Sequence, residues 1–292
     1  MKFSTHFSLA ISVLVSISVS AQSPVNGFMQ KEGKGSVALS YNSESYNEVY
    51  LVPQKINEVP IFNRMTLKSA SVYFTYGLTD KINVVFNIPY IQSQGAADPQ
   101  VLKNLGYENT RADFQDITVY AKYRCLTITR EKYNFNLIGA AGIKSPLGDY
   151  RVNDGLQSIV AIGNKSSSLN LLGISTIRHE SGLFACGQAG YSLRNNDVPN
   201  ALISEFKVGF IQPHYYLDAF IANQTSTSGT DILAEGFEGF FPSTRVNYTR
   251  VGLNIYVPIA AKFGVCLGGS QYLDGRNVGK STGIYGGVTY SF

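Results

Sequence analysis

The segment SASVYFTYGLTDKINVVFNIPY (Ser69–Tyr90) alternates twice around one short polar break. In its first half Ala70, Val72, Phe74, Tyr76 and Leu78 share one face, with Ser69, Ser71, Tyr73, Thr75 and Gly77 on the other. After Thr79-Asp80-Lys81, a second apolar face runs through Ile82, Val84, Phe86, Ile88 and Tyr90. A period of two over this length describes a strand with one apolar and one polar side. The Thr and Asp side chains between the two runs can satisfy backbone groups freed in a tight turn. The segment therefore reads as a hairpin, with strands longer than the five or six residues usual in soluble sheets. Pro89 cannot donate to a ladder, so it marks a bulge or the end of regular pairing.

The same alternation recurs along the chain. In DITVYAKYRC the apolar side is Ile117, Val119, Ala121, Tyr123 and Cys125, opposite Asp116, Thr118, Tyr120, Lys122 and Arg124. In YTRVGLNIYV it is Val251, Leu253, Ile255 and Val257, opposite Tyr248, Arg250, Asn254 and Tyr256. Such segments number about twelve. They centre near 36–42, 67–78, 82–92, 114–126, 132–144, 169–178, 183–193, 202–212, 214–223, 247–257, 263–272 and 282–292. Connectors alternate between short turns (79–81, 127–131, 179–182, 213, 258–262) and long polar stretches (43–66, 93–113, 145–168, 224–246). Short turns at one end and long loops at the other are the arrangement of an antiparallel, up-and-down transmembrane β-barrel of the bacterial outer membrane.

Composition agrees. Of 292 residues only 15% are charged, while 28 are Gly, 19 Tyr and 17 Phe. That is too few charges to solvate an ordinary globular surface. A net charge of +4 is too small and too evenly spread for a nucleic-acid footprint. No later segment is apolar for long enough to be a transmembrane helix. At the N-terminus, Lys2, the apolar run Phe7–Val19 and Val19-Ser20-Ala21 read as a signal peptide over 1–21, directing the chain out of the cytoplasm. Residues 22–35 would follow as a small plug or, as the favoured expectation, a disordered periplasmic tail. The barrel would occupy 36–292. Cys125, Cys186 and Cys266 have no metal-ligand or paired spacing and read as small wall residues; no cofactor or metal is expected.

The last strand, GIYGGVTYSF, places Ile284, Gly286, Val288, Tyr290 and Phe292 on the apolar side. This resembles the terminal signal of outer-membrane barrels, which implies recognition of Tyr290 and Phe292 by the barrel-insertion machinery. Tyr76, Tyr90, Tyr123, Tyr133, Tyr191 and Tyr215 lie near strand ends, where amphipathic rings form girdles against lipid.

Three blocks, YGLTDKINVVFNIPYIQ (76–92), DFQDITVYAKYR (113–124) and GIKSPLGDY (142–150), resemble in order a more specific family. It is the outer-membrane transporter family labelled after the meta-pathway of phenol degradation, within the FadL-like group. The resemblance rests on Tyr76, Gly77, Leu78, Thr79, Asp80, Pro89, Tyr90, Asp116, Pro146 and Gly148. It departs at Gln115, where the family has Gly, and at Leu147, where Thr is commoner. The resemblance implies passive uptake of small hydrophobic or aromatic solutes. In such a barrel Pro89 would let solute leave sideways into the membrane; otherwise it ends a strand at the rim.

By parity the inward face carries Asp116, Lys122, Arg124, Glu205, Lys207, His214, Asp218 and Arg250 as lumen charges. Such groups would cost a few kcal/mol each on the lipid side, so they are expected inside. There they would line a wet channel or simply pair across the interior. Tyr73, Tyr120, Phe184, Tyr216, Phe220 and Tyr256 share that parity and are the candidates for contact with an aromatic or apolar solute. Two other functions stay open. His179-Glu180-Ser181 has the His-x-Ser spacing of outer-membrane acyl hydrolases, in which His activates Ser. Against it, Gly182 stands where those enzymes have Asn, and the motif falls on a short turn. Long loops 43–66 and 224–246 could also serve a structural or adhesive role. The expected partners are outer-membrane lipid, the insertion machinery and a small solute, with no nucleic acid.

Overall fold

The computed structural model describes residues 25–292 except residue 238; the expected leader, 1–21, lies outside them. Twelve long strands form the molecule: β1 (Gly35–Tyr46), β2 (Met65–Gly77), β3 (Ile82–Gly95), β4 (Asp116–Arg130), β5 (Tyr133–Pro146) and β6 (Ser168–His179) in the first half. The second half contains β7 (Leu183–Arg194), β8 (Ala201–Ile211), β9 (Tyr216–Ser226), β10 (Asn247–Pro258), β11 (Phe263–Arg276) and β12 (Thr282–Ser291). Each pairs antiparallel with its neighbours in sequence, and β12 pairs with β1 through Val37 opposite Tyr290, closing the sheet. Gly35 and Phe292 exchange backbone hydrogen bonds at the seam, and the Phe292 ring stacks near Tyr76 and Tyr290. Closure removes both sheet edges, as a strand-built span in lipid requires.

The alternation decides which face is which. Leu39, Ile143, Leu253, Leu267 and Ile284 are 60–72% exposed on the outside, whereas Ser71, Tyr73, Thr75, Tyr120 and Lys122 are buried inside. Four of the six strand-end tyrosines, Tyr90, Tyr123, Tyr133 and Tyr215, are exposed outward and do not pack a core. Five turns, 78–81, 131–132, 180–182, 212–215 and 259–262, join strands at one end. The first is built as its residues suggested: Thr79 Oγ1 accepts from the backbone N–H groups of Lys81 and Ile82.

At the other end stand the long loops 47–64, 96–115, 147–167 and 227–246, with shorter ones at 195–200 and 277–281. They are folded. Val59, Phe62, Met65, Leu102 and Val160 form a second apolar core there. Beside it sits the helix α1 (Pro99–Leu105), capped by the Asp98 side chain and ended by Gly106 at φ 68°.

Pro89 marks a jog. Residues Ile82–Asn87 pair with β4, but from Tyr90 onward β3 pairs with the short ribbon Thr110–Phe114. The change of partner is bridged by Gln115 N–H, which donates to Pro89 O at 2.9 Å. Outside, the rings of Tyr90 and Phe114 meet edge to face at 5.4 Å across the same point. A second irregularity at Arg124/Leu126 leaves both Cys125 and Leu126 on the outer surface.

Candidate functional site: the lumen and its vestibule

Inward side chains form rings at successive depths. Gln188, Glu205, Ala222, Arg250 and Tyr272 lie opposite one another across β7–β11. One step toward the short turns come Cys186, Lys207, Phe220, Gly252 and Ser270. Several inward aromatics lie over a glycine on the next strand. Tyr120 covers Gly142, Phe220 covers Gly252 and Phe184 covers Gly209, so closely that a Cβ there would stand 2.3–2.8 Å from the ring. Rings laid against the wall in this way line the lumen without spanning it.

Seven of the eight lumen-charge candidates face inward. Asp116 pairs with Lys144 at 2.7 Å and accepts a hydrogen bond from Tyr150 Oη. Glu205 pairs with Lys207 at 3.0 Å and accepts from Gln188 Nε2 at 3.0 Å. Asp218 accepts from Asn254 at 2.7 Å and Tyr216 Oη at 2.5 Å. Arg250 donates to Ser270, lies over the Tyr272 ring at 5.2 Å and faces Glu44 at 3.9 Å. Arg124 is half-buried near the short-turn end, and Lys122 is 1% exposed. His214 is a correction. The chain reverses over 212–215, so His214 sits exposed in a turn and contributes nothing to the lumen. The strand β9 starts at Tyr216, two residues after His214.

Below the Glu205 ring the lumen is filled by the chain's own start. Val25 is fully buried, and Lys122 Nζ donates to Phe28 O at 2.5 Å and to Asn26 Oδ1 at 3.2 Å. Phe28 meets Phe184 and Tyr216 edge to face at 5.4 and 6.2 Å. The disordered tail is therefore corrected for residues 25–30, which lie within the lumen against Lys122, Phe184 and Tyr216, while the exposed residues 31–34 lie at the short-turn end, where Glu32 and Gly33 donate to Asp80 and Gly77.

Above that ring, toward the long loops, lies a cavity of about 450 Å³ lined by polar and aromatic groups. Of the six aromatic candidates, only Tyr73 and Tyr120 line it. Phe184 and Tyr216 pack on Phe28, while Phe220 and Tyr256 tile the wall elsewhere. The cavity also brings in Lys144, Arg194, Gln224 and Tyr248, and from the loops Val198 and Phe241, none of which stood among the sequence candidates. A signal was available for Arg194, which continues the inward parity of Phe184, Cys186, Gln188 and Ser192.

The hydrolase pair does meet: His179 Nδ1 and Ser181 Oγ are 2.8 Å apart. However, His179 Nδ1 also accepts from Ser181 N–H at 3.1 Å, and Glu180 faces Lys132 at 3.8 Å. No carboxylate among the described residues orients the ring, so the geometry is that of a side-chain-capped turn.

A closed twelve-stranded barrel with an apolar outer band, short turns at one end, folded loops at the other and a charged interior is an outer-membrane barrel. Its fold is that of an outer-membrane channel. The COG4313 outer membrane channel from Pseudomonas putida F1 superposes with a TM-score of 0.73 at 14% identity, covering 92% of this chain and 99% of that one. The KdgM porin (TM-score 0.48, 8% identity, 87% and 99% covered) and the TodX deltaS2S3 mutant monoaromatic hydrocarbon channel (0.36, 9%, 93% and 92%) are more distant. No family model matches this sequence, and a search of curated proteins gives no match.

Proposed function

We propose that this barrel resides in the outer membrane, with its long loops outside the cell, and passively admits small hydrophobic or aromatic solutes. The observation that carries the reading is the cavity of about 450 Å³ on the long-loop side of the Glu205 ring, walled in part by Tyr73, Tyr120 and Tyr248. A concave site of this size, with aromatic rings set among many polar side chains, has room for a single-ring molecule that also carries polar groups. The likeness of fold to an outer-membrane channel supports passage, and the three motif blocks support a place in the meta-pathway transporter family. In this reading the leader 1–21 is cleaved on export, the insertion machinery reads Tyr290 and Phe292, and residues 25–30 are a plug at the periplasmic end.

Liposome swelling and planar-bilayer recording on refolded protein test the reading, with neutral sugars, charged sugars and phenolic compounds as solutes. Phenolics are expected to enter, or to modulate current, at lower concentration than sugars of similar size. Free entry of sugars with no effect of phenolics would replace the reading with that of a general pore.

A further inference from the structure

The cavity wall carries two acids, Asp116 and Glu205, and two bases, Lys144 and Arg194. Both acids are taken. Lys144 neutralises Asp116 at 2.7 Å, and Lys207, just beneath, neutralises Glu205 at 3.0 Å. Arg194 has no acid partner among the described residues. Its Nε donates to Ser192 Oγ at 3.1 Å, its Nη1 to Pro199 O at 3.3 Å and its Nη2 to Gln224 Oε1 at 3.0 Å. These neutral acceptors fix the plane of the guanidinium but use only part of its five-donor fork, and they leave its charge uncompensated. A partly buried cation in that condition favours an anion, and a planar fork favours a carboxylate held by two oxygens.

The surroundings narrow the class. Ile203, Gln224 and Tyr248 stand opposite one another on β8, β9 and β10, at the level of the guanidinium's Gln224 contact. Val198 and Phe241 close the same cavity from the loops. Arg194, the base of this cavity with no acid partner among the described residues, stands beside Ile203, Tyr248, Val198 and Phe241, which matches a ligand with one carboxylate and one ring. We propose that Arg194 is the solute-binding cation of this barrel and that its ligands are small aromatic carboxylates. This deepens the passage reading and rests on it: a neutral ring gains only the walls, whereas an arylcarboxylate gains the walls and Arg194.

The test compares benzoate with benzyl alcohol, its neutral counterpart, on wild type, Arg194→Gln and Arg194→Lys, by current modulation in planar bilayers and uptake into liposomes. Heat-modifiable gel migration first establishes that each variant has closed its barrel. In wild type, benzoate is expected to act at a concentration about tenfold below benzyl alcohol, the scale of a charge-assisted hydrogen bond. Arg194→Gln should abolish that difference through a selective loss of benzoate action, and Arg194→Lys should restore part of it. Equal action of the two probes on wild type would overturn the proposal. So would an equal loss of both in Arg194→Gln, the mark of a residue that merely holds the 195–200 loop. Entry of benzyl alcohol in those cases leaves the passage reading standing; if neither probe enters or binds, both readings fall.

Discussion

Replacing Lys122 by Met should loosen the segment that closes the lumen. Lys122 is an inward cation with its partners on that segment: Phe28 O at 2.5 Å and Asn26 Oδ1 at 3.2 Å. Hydrogen bonds from a charged donor contribute about 1.5–3 kcal/mol each, while desolvation of a cation only 1% exposed works against them. Met keeps most of the volume but leaves the Phe28 carbonyl without that donor, at about 1–3 kcal/mol. The segment's docking should therefore weaken by about 2 kcal/mol, or about thirtyfold in the undocked-to-docked ratio.

Phe28 still packs on Phe184 and Tyr216, so the expected phenotype is frequent brief opening and not a permanently open pore. Single-channel recording should show an open-to-closed time ratio about thirtyfold higher in Lys122→Met than in wild type. Gly27→Val should act in the same direction by steric means, since a Cβ at Gly27 would stand 2.5 Å from Cys186 Sγ and 2.6 Å from Thr176 Cγ2. Unchanged opening in both variants, with the barrel shown closed by heat-modifiable migration, would refute the idea that these residues hold the floor.

Other outcomes follow from the outer band and the loops. Leu253, 61% exposed at the middle of β10, should tolerate Ile, but Leu253→Arg should cost about 2–4 kcal/mol at the bilayer midplane, read from urea midpoints of vesicle-folded protein. Arg276, at the end of β11, holds the carboxylate of Asp231 in the 227–246 loop down, to about 2 from 3.8, with Asn277 as a second donor. A depressed acid contributes stability above its unfolded pKa and loses it as pH falls through the folded one. Pepsin cleavage in this loop should accordingly rise between about pH 4 and 2 in wild type and be high throughout that range in Asp231→Asn.

How far the sequence could be read varied with how local the deciding physics was. Lipid on one side and water or protein on the other force a period of two, so the strands and the inward parity of Asp116, Lys122, Glu205 and Lys207 were legible from residue order alone. His214 failed because parity says nothing about where a strand ends, and after Ile211 the chain reverses through a turn that contains His214. Arg194 was passed over for the same reason at the opposite end, since β7 runs one residue beyond the segment ending at 193. The loop core of Val59, Phe62, Met65, Leu102 and Val160 joins positions a hundred residues apart, and no local periodicity announces it. The inserted start of the chain is likewise held by distant groups, Lys122 and Phe184 among them.

Charge inside such a barrel answers two demands that look alike in a sequence. Shifting β4 or β8 by one residue would carry Lys122, Glu205 and Lys207 to the lipid side at about 2–4 kcal/mol per base near the midplane, so lumen charges fix register whatever else they do. Register needs only that the charge be inside, and once inside it is best paired, as Asp116 is with Lys144 and Glu205 with Lys207. A charge kept for a passing solute must instead stay uncompensated in a place the solute can reach. Partner accounting separates the two demands where parity cannot. Among the bases on the cavity wall, Lys144 satisfies the first description and Arg194, caged by Ser192, Pro199 and Gln224, satisfies the second.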